Sequence, residues 1–347
     1  MNEKTVIIRC RADKTIGFGH LVRSRVLGKK FLELGYKTIL VGPSKKYIHI
    51  DDKAIFYKCI ERESWLNSPT EAEFHIGLAK TYGVKHMIMD DYRSDYEHQV
   101  LLRKAGLRIL QQYDASKPQR FAADLVINSS PYEKRAFYED NLYDDSIRML
   151  HGPKYSILRS EFLAYDIKKM KKKNNILLTF GGGDDRGAIL FVLNELKDNI
   201  PNGWKIIIVM GEHNPQIKSI ENWLKDYALN DIELLVNPVD IIEVIASAKI
   251  AILSGGTTTF EAAFFGVVSI LIPIAKNQYN QGKGWQNLGA SIYLGPFNLI
   301  GDGVILNTLK NLVENEEELE KMSVIAKTSV DALGAKRVID ILTNEVQ

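Results

Sequence analysis

KTVIIRCRADKTIGFGHLVRSRVLGKKFLELG, residues 4–35, decides the fold. An apolar, β-branched run at 6–9 leads into two glycines, Gly17 and Gly19. Helical spacing follows over 20–34, with Val22, Val26 or Leu27, Phe31 and Leu34 on one face. Gly35 stands where such a helix ends. Strand, glycine turn and helix open a parallel α/β domain. The turn is not a dinucleotide fingerprint. Val22 stands where a third glycine is required, and no acidic residue closes the second run at 37–42. Both departures argue against NAD.

The same alternation runs through the chain. Apolar runs at 38–41, 87–89, 108–110 and 125–127 complete a first set. Runs at 176–179, 206–209, 232–236, 250–253 and 267–272 make a second. Buried strands alternating with helices specify parallel sheets with crossover helices. Between the sets, YDIKKMKKKNN at 165–175 is charged and lacks apolar pattern. It is read as the boundary between two Rossmann-like domains, 1–165 and 175–347. A length of 347 residues suits two domains. Open parallel sheets bind ligands at the carboxyl ends of their strands, so two facing sheets predict an interdomain cleft as the ligand site.

Composition narrows the partners. A net charge of +2 gives no bulk attraction to nucleic acid or membrane. The basic run Lys168, Lys169, Lys171, Lys172 and Lys173 reads as a solvated linker. Two cysteines, Cys10 and Cys59, do not make a disulfide scaffold. No apolar stretch approaches the roughly 20 residues of a membrane helix, and MNEKTVIIRC is no signal segment. The expectation is a cytoplasmic protein. Its oligomeric state is not legible; with no interface signal, a monomer is favoured.

Three turns carry candidate chemistry. His20, at the first helix start, has the ordinary pKa of a base near neutral pH, about 6.5. It is equally placed to serve the turn structurally. In AKIAILSGGTTTFEAAFFGVVSILIP, residues 248–273, the turn Ser254, Gly255, Gly256, Thr257, Thr258 offers backbone N–H groups and hydroxyls to a diphosphate. Glu261 then suits a ribose diol, or closes a capping box with Thr258. Gly181, Gly182 and Gly183 form another anion-friendly loop. Asp184 and Asp185 beside it read as turn residues rather than metal ligands. NQYNQGKGW at 277–285 follows a buried strand, and Asp90, Asp91 and Tyr92 end another on the edge expected for His20.

Together these residues resemble a known family, the hydrolases of UDP-2,4-diacetamido-2,4,6-trideoxy-β-L-altropyranose in pseudaminic acid biosynthesis (the PseG type). The related spore-coat polysaccharide proteins are similar. So is the GT-B fold of the lipid-linked N-acetylglucosaminyl transferase of peptidoglycan synthesis. The resemblance covers nearly the whole chain. It rests on Arg11, Asp13, Ile16, Gly17, Gly19, His20 and Arg23, then Asp90 and Tyr92. Its most specific part is HGPKYSILRSEF, through Gly152, Tyr155, Leu158, Arg159, Glu161 and Phe162. Gly182 to Asp185, Ser254 to Glu261, Asn277 with Gln278, and the tail DALGAKRVIDIL follow in order. Departures are Asp91, the stretch Gln111, Gln112, Tyr113, Asp114, and the loop 279–289.

The resemblance implies a metal-independent hydrolase without cofactor, acting on a small-molecule UDP-sugar for surface polysaccharide or flagellin glycosylation. It implies His20 as general base, with Arg11, Asp13, Gly17, Gly19, Arg23, Asp90, Tyr92, Asn277 and Gln278 on the sugar. It implies UDP at Gly181, Gly182, Gly183, Asp184, Ser254, Gly255, Gly256, Thr257, Thr258 and Glu261. A glycosyltransferase with an acceptor hydroxyl in place of water is the alternative. A non-catalytic nucleotide-sugar binder is the third.

Overall fold

A computed structural model describes residues 4–13, 18–114, 119–132, 146–166 and 170–344. The chain divides into two compact units, Met1–Ser160 with Ala332–Gln347, and Glu161–Asp331.

The first unit holds seven parallel strands: β1 (Lys4–Cys10), β2 (Tyr36–Gly42), β3 (Lys58–Glu61), β4 (His86–Asp90), β5 (Arg108–Gln112), β6 (Leu125–Asn128) and β7 (Arg148–His151). Their order is β3-β2-β1-β4-β5-β6-β7. All five predicted runs lie in strands. β3 and β7 were not expected, and both are edge strands. An edge strand is half-exposed, so it lacks the apolar run that betrays a central one; only Leu150 is buried in β7 and no residue in β3.

The crossovers are α1 (Gly19–Glu33), α2 (Asp52–Ile55), α3 (Ser68–Tyr82) and α4 (Tyr96–Lys104). Gly35 ends α1 in the left-handed region at φ 78°, as its position predicted. The buried face of α1 is Leu21, Leu27 and Phe31 with Ser24 and Gly28. Val22 and Leu34, expected on that face, are exposed. Gly28 abuts the Phe56 ring, and an added Cβ would stand 2.6 Å from it. The order of strands reverses between β1 and β4, where Cys10 pairs with Asp90. This is the switch point of the sheet, and the carboxyl ends of its strands open there.

The second unit begins with α5 (Ser160–Ala164). It holds six parallel strands: β8 (Asn175–Thr179), β9 (Lys205–Met210), β10 (Ile232–Val236), β11 (Ile250–Leu253), β12 (Val268–Leu271) and β13 (Ser291–Tyr293), ordered β10-β9-β8-β11-β12-β13. β13, again an edge strand, escaped the sequence reading. Its switch point lies between β8 and β11, where Leu253 pairs with Thr179. The glycine turns 181–183 and 254–257 leave these two strands side by side. The helices are α6 (Ala188–Leu196), α7 (Ile217–Tyr227), α8 (Ile241–Ser247), α9 (Thr258–Phe264), α10 (Tyr279–Asn287), α11 (Val304–Glu314) and α12 (Glu316–Ser329).

Both expected boundaries move. The second unit starts before 165, because Phe162 on α5 packs 5.9 Å from Phe264 and 5.5 Å from Phe265 between ring centroids. The chain end, expected in the second domain, belongs to the first. Val338, Ile339 and Leu342 of the closing helix Gly334–Thr343 are buried in the core formed by Val6, Ile8, Leu27 and Phe31. Arg108 secures that helix by donating to the carbonyls of Ile341 and Asn344, at 3.1 and 2.6 Å. Gly334 lies so close to Ser156 that a Cβ would meet its carbonyl at 2.0 Å.

Candidate active site

His20 occupies the first turn of α1, one of the loop-to-helix junctions that glycine makes open: no atom lies within 4 Å of a Cβ built on Gly19. The ring is 8% exposed. Its Nδ1 meets Asp90 twice, at 2.9 Å from the backbone carbonyl and 3.0 Å from Oδ1. Asp90 therefore accepts a hydrogen bond from Nδ1–H and leaves the Nε2 lone pair as the acceptor. The Tyr92 ring stands edge-on to the imidazole with centroids 5.1 Å apart.

Asp90 ends β4 at the switch point and is 2% exposed. Arg23, on the next turn of α1 from His20, grips it bidentately, Nε to Oδ2 at 3.0 Å and Nη2 to Oδ1 at 2.8 Å. Its remaining Nη1 donates to Asp114 Oδ2 at 2.7 Å. Tyr92 donates its hydroxyl to the other oxygen of Asp114. Arg23 and Asp90, expected on the sugar, thus spend their polar atoms on each other and on His20. Both are buried, where an unpaired charge would be costly, and both are paired: Arg23 with Asp90 and Asp114, Asp90 with Arg23 and His20.

Electrostatics follow the geometry. Burial would lower the His20 pKa, but the Asp90 carboxylate outweighs it and holds the imidazole above its ordinary range. Burial would raise Asp90, and Arg23 with His20 hold it below the usual carboxylate range. Tyr92 is pushed well above its ordinary value by burial and by Asp114, so it remains a donor.

Arg11 pairs with Asp13, Nε to Oδ2 at 2.9 Å, with about a third of each side chain exposed. With Cys10, Ala12, Gly42, Arg62, Glu63 and Arg93 they line a small pocket at the carboxyl edge of the sheet. Gly17 lies outside the described residues. Asp91, the departure beside Asp90, has a separate task. Fully buried, it binds Arg9 Nε at 3.1 Å and Arg93 by Nε and Nη2 at 2.9 and 2.7 Å.

In the second unit, Gly181 has φ 96° and the exposed turn at Gly181, Gly182 and Gly183 leaves open space where side chains would stand. Asp184 accepts from the Arg186 N–H at 2.8 Å, and Asp185 accepts from Ile189 N at 2.9 Å and Asn214 Nδ2 at 3.2 Å. These are the turn roles expected of them. Among the described residues no group of three or more His, Cys, Asp or Glu side chains could hold a metal.

Ser254, Gly255, Gly256 and Thr257 lead into α9, which Thr258 begins. The N-cap residue is Thr257, and its side chain makes no capping hydrogen bond. Glu261 lies in the first turn, half-buried. The turn is braced from behind. Gln281 Nε2 donates to the Gly256 carbonyl at 2.7 Å and to Thr259 Oγ1 at 2.9 Å. Trp285 Nε1 donates to the same hydroxyl at 3.0 Å. Asn277 is exposed, whereas Gln278 turns inward and accepts from Ile274 N and Ala275 N at 2.9 and 3.3 Å.

Sequence reading missed Asp114 and the brace Thr259, Gln281 and Trp285. The polar loop 277–285 signalled two of these. Nothing local marks Asp114.

Comparison with known proteins accords with this construction. Residues 176–338 match the glycosyltransferase family 28 C-terminal domain. The chain is 26% identical over 274 residues to the UDP-2,4-diacetamido-2,4,6-trideoxy-β-L-altropyranose hydrolase of Campylobacter jejuni, covering 79% of this chain and 93% of that one. It is 23% identical over 337 residues to the spore coat polysaccharide biosynthesis protein SpsG of Bacillus subtilis, covering 94% of each. The resemblance read from the motifs therefore holds. In fold the chain is similar to MurG of Acinetobacter baumannii, with a TM-score of 0.68 at 16% identity, covering 98% and 99%. The fold is thus the GT-B class of two Rossmann-like domains. Among the described residues no helix is long and apolar enough to cross a membrane.

Proposed function

We propose that this protein hydrolyses UDP-2,4-diacetamido-2,4,6-trideoxy-β-L-altropyranose, releasing UDP by attack of water on the anomeric carbon with inversion. The observation that carries the reading is the contact of His20 Nδ1 with Asp90 at 3.0 Å. It fixes the tautomer, orients the ring and frees Nε2 to act as general base. Water forms the new bond to the anomeric carbon and passes a proton to Nε2. The bond from that carbon to the phosphate oxygen breaks, and its electron pair leaves with UDP. A single displacement inverts the carbon.

The nucleotide belongs to the second unit. The turns at Gly181, Gly182, Gly183 and Asp184 and at Ser254, Gly255, Gly256, Thr257 and Thr258 offer it backbone N–H groups, already braced before the charge develops. Glu261 accepts from the ribose diol. Arg11, Asp13, Gly19 and Tyr92 of the first unit take the sugar. The similarity to the Campylobacter hydrolase supports the substrate.

A second reading has its own support in the family 28 domain match. An acceptor hydroxyl then replaces water at His20, and the rest of the site serves unchanged.

Phosphorus NMR of the protein with this UDP-sugar, without acceptor and with chelator present, tests the proposal. Release of UDP rather than UMP is expected. Binding without release points to the transferase. In His20→Asn, turnover should fall by about a hundredfold or more while UDP binding is kept; normal turnover overturns the assignment.

A further inference from the structure

Asp114 lies 91 residues from Arg23 and 22 from Tyr92 in the chain, and among the described residues it makes no hydrogen bond to the imidazole. It follows β5, whose neighbour in the sheet is β4. The groups that face His20 are Asp90 from β4, Tyr92 just beyond it, Arg23 from α1 and Asp114 after β5. Cys10 ends β1 beside Asp90, and burial keeps its thiol protonated.

The charges of this cluster do not cancel. Among the described residues two carboxylates face one guanidinium, so these three carry one net negative charge while the imidazole is neutral. Without Asp114, Asp90 alone would favour a proton on His20, against Arg23 and burial. With Asp114, Arg23 is shared, and protonation of His20 brings the buried cluster to neutrality.

We propose that Asp114 is a positioning residue for His20: by binding the outer nitrogen of Arg23 and the Tyr92 hydroxyl, it holds Asp90 against Nδ1 and supplies the unbalanced negative charge that makes His20 a stronger base. The raised His20 pKa agrees, with Asp90 and then Asp114 as the carboxylates that lift it against burial. Low-dielectric surroundings let such a charge act through an intervening side chain.

The proposal as a statement about basicity stands apart from the reaction; its kinetic consequence rests on the hydrolase reading. The test is NMR titration of the His20 ring in the labelled full chain, for wild type, Asp114→Asn, Asp114→Ser and Asp114→Glu. The wild-type midpoint is expected above the ordinary histidine value of about 6.5. Asp114→Asn and Asp114→Ser should each lower it by about one unit, and Asp114→Glu should restore most of the shift. A wild-type midpoint at or below the ordinary value overturns the proposal with no variant needed. An unchanged midpoint in a folded Asp114→Asn or Asp114→Ser protein overturns it too. The acid limb of kcat/KM should move with the NMR midpoint. Absence of turnover at every pH would defeat the hydrolase reading and leave the titration to decide the role of Asp114.

Discussion

Arg23 and Asp90, 67 residues apart in the chain, meet through two hydrogen bonds of 3.0 and 2.8 Å inside the first unit. The pair joins α1 to the end of β4 and so fixes where His20 can stand.

Replacement of Arg23 by methionine keeps an unbranched apolar stem and removes the charge. Asp90 and Asp114 are then left beside each other without a cation. The expected loss of stability is about 3–5 kcal/mol. Denaturant unfolding with a fluorescence readout measures it; a loss under about 1 kcal/mol would mean that the pair contributes little.

Asp90→Asn keeps the shape of the side chain and weakens its hold on Nδ1–H. Turnover is expected to fall by about a hundredfold or more, with the UDP dissociation constant unchanged, because the turns proposed for the nucleotide lie in the other unit. Calorimetry with UDP beside steady-state kinetics separates the two. Equal losses in both would indicate a general structural effect.

His75 and His98 share a proton across 3.2 Å between α3 and α4, and Ser94 contacts the far nitrogen of His98 at 2.9 Å. Burial holds both below their ordinary range, His98 at about 4. The unfolded chain therefore takes up protons near pH 6.5 that the folded chain refuses until about 4. The stability contributed by the neutral ring is present above 6.5 and is lost as pH falls through that window. For His98 this amounts to on the order of 3 kcal/mol. Urea midpoints at pH 7 and pH 5 should differ in wild type and differ less in His98→Gln.

Gly211 follows β9 and faces the turn after β8. A Cβ there would stand 2.3 Å from the Gly182 carbonyl. Backbone cannot yield as a flexible side chain does, so Gly211→Ala should displace the turn. UDP affinity is expected to drop about tenfold, equal to about 1.4 kcal/mol, with His20 chemistry intact. Binding at wild-type strength would remove that turn from the nucleotide site.

Local pattern carried much of the candidate site. The glycine turns, His20 and Glu261 were visible because each follows a central strand that must be apolar on both faces. Edge strands β3, β7 and β13 were not visible, since one unpaired side relaxes that demand. The pairing of Arg23 with Asp90 was not legible for a different reason. A charged residue near a turn looks the same in sequence whether it meets ligand or another buried charge.

The sequence by itself determined two parallel α/β repeats of strand, glycine turn and helix, and the chemistry of the turns between them. Periodicity within a short window is enough for that, because burial acts on each strand and helix locally. Only the tertiary structure decided that the closing helix completes the first core. Its apolar face could cover either sheet, and the partner is chosen by fit against Val6, Ile8 and Phe31. Tertiary structure also joined His20, Arg23, Asp90, Tyr92 and Asp114 into one charged cluster. Their pairing is a matter of which strand ends lie at the switch point, and strand order leaves no periodic trace along the chain.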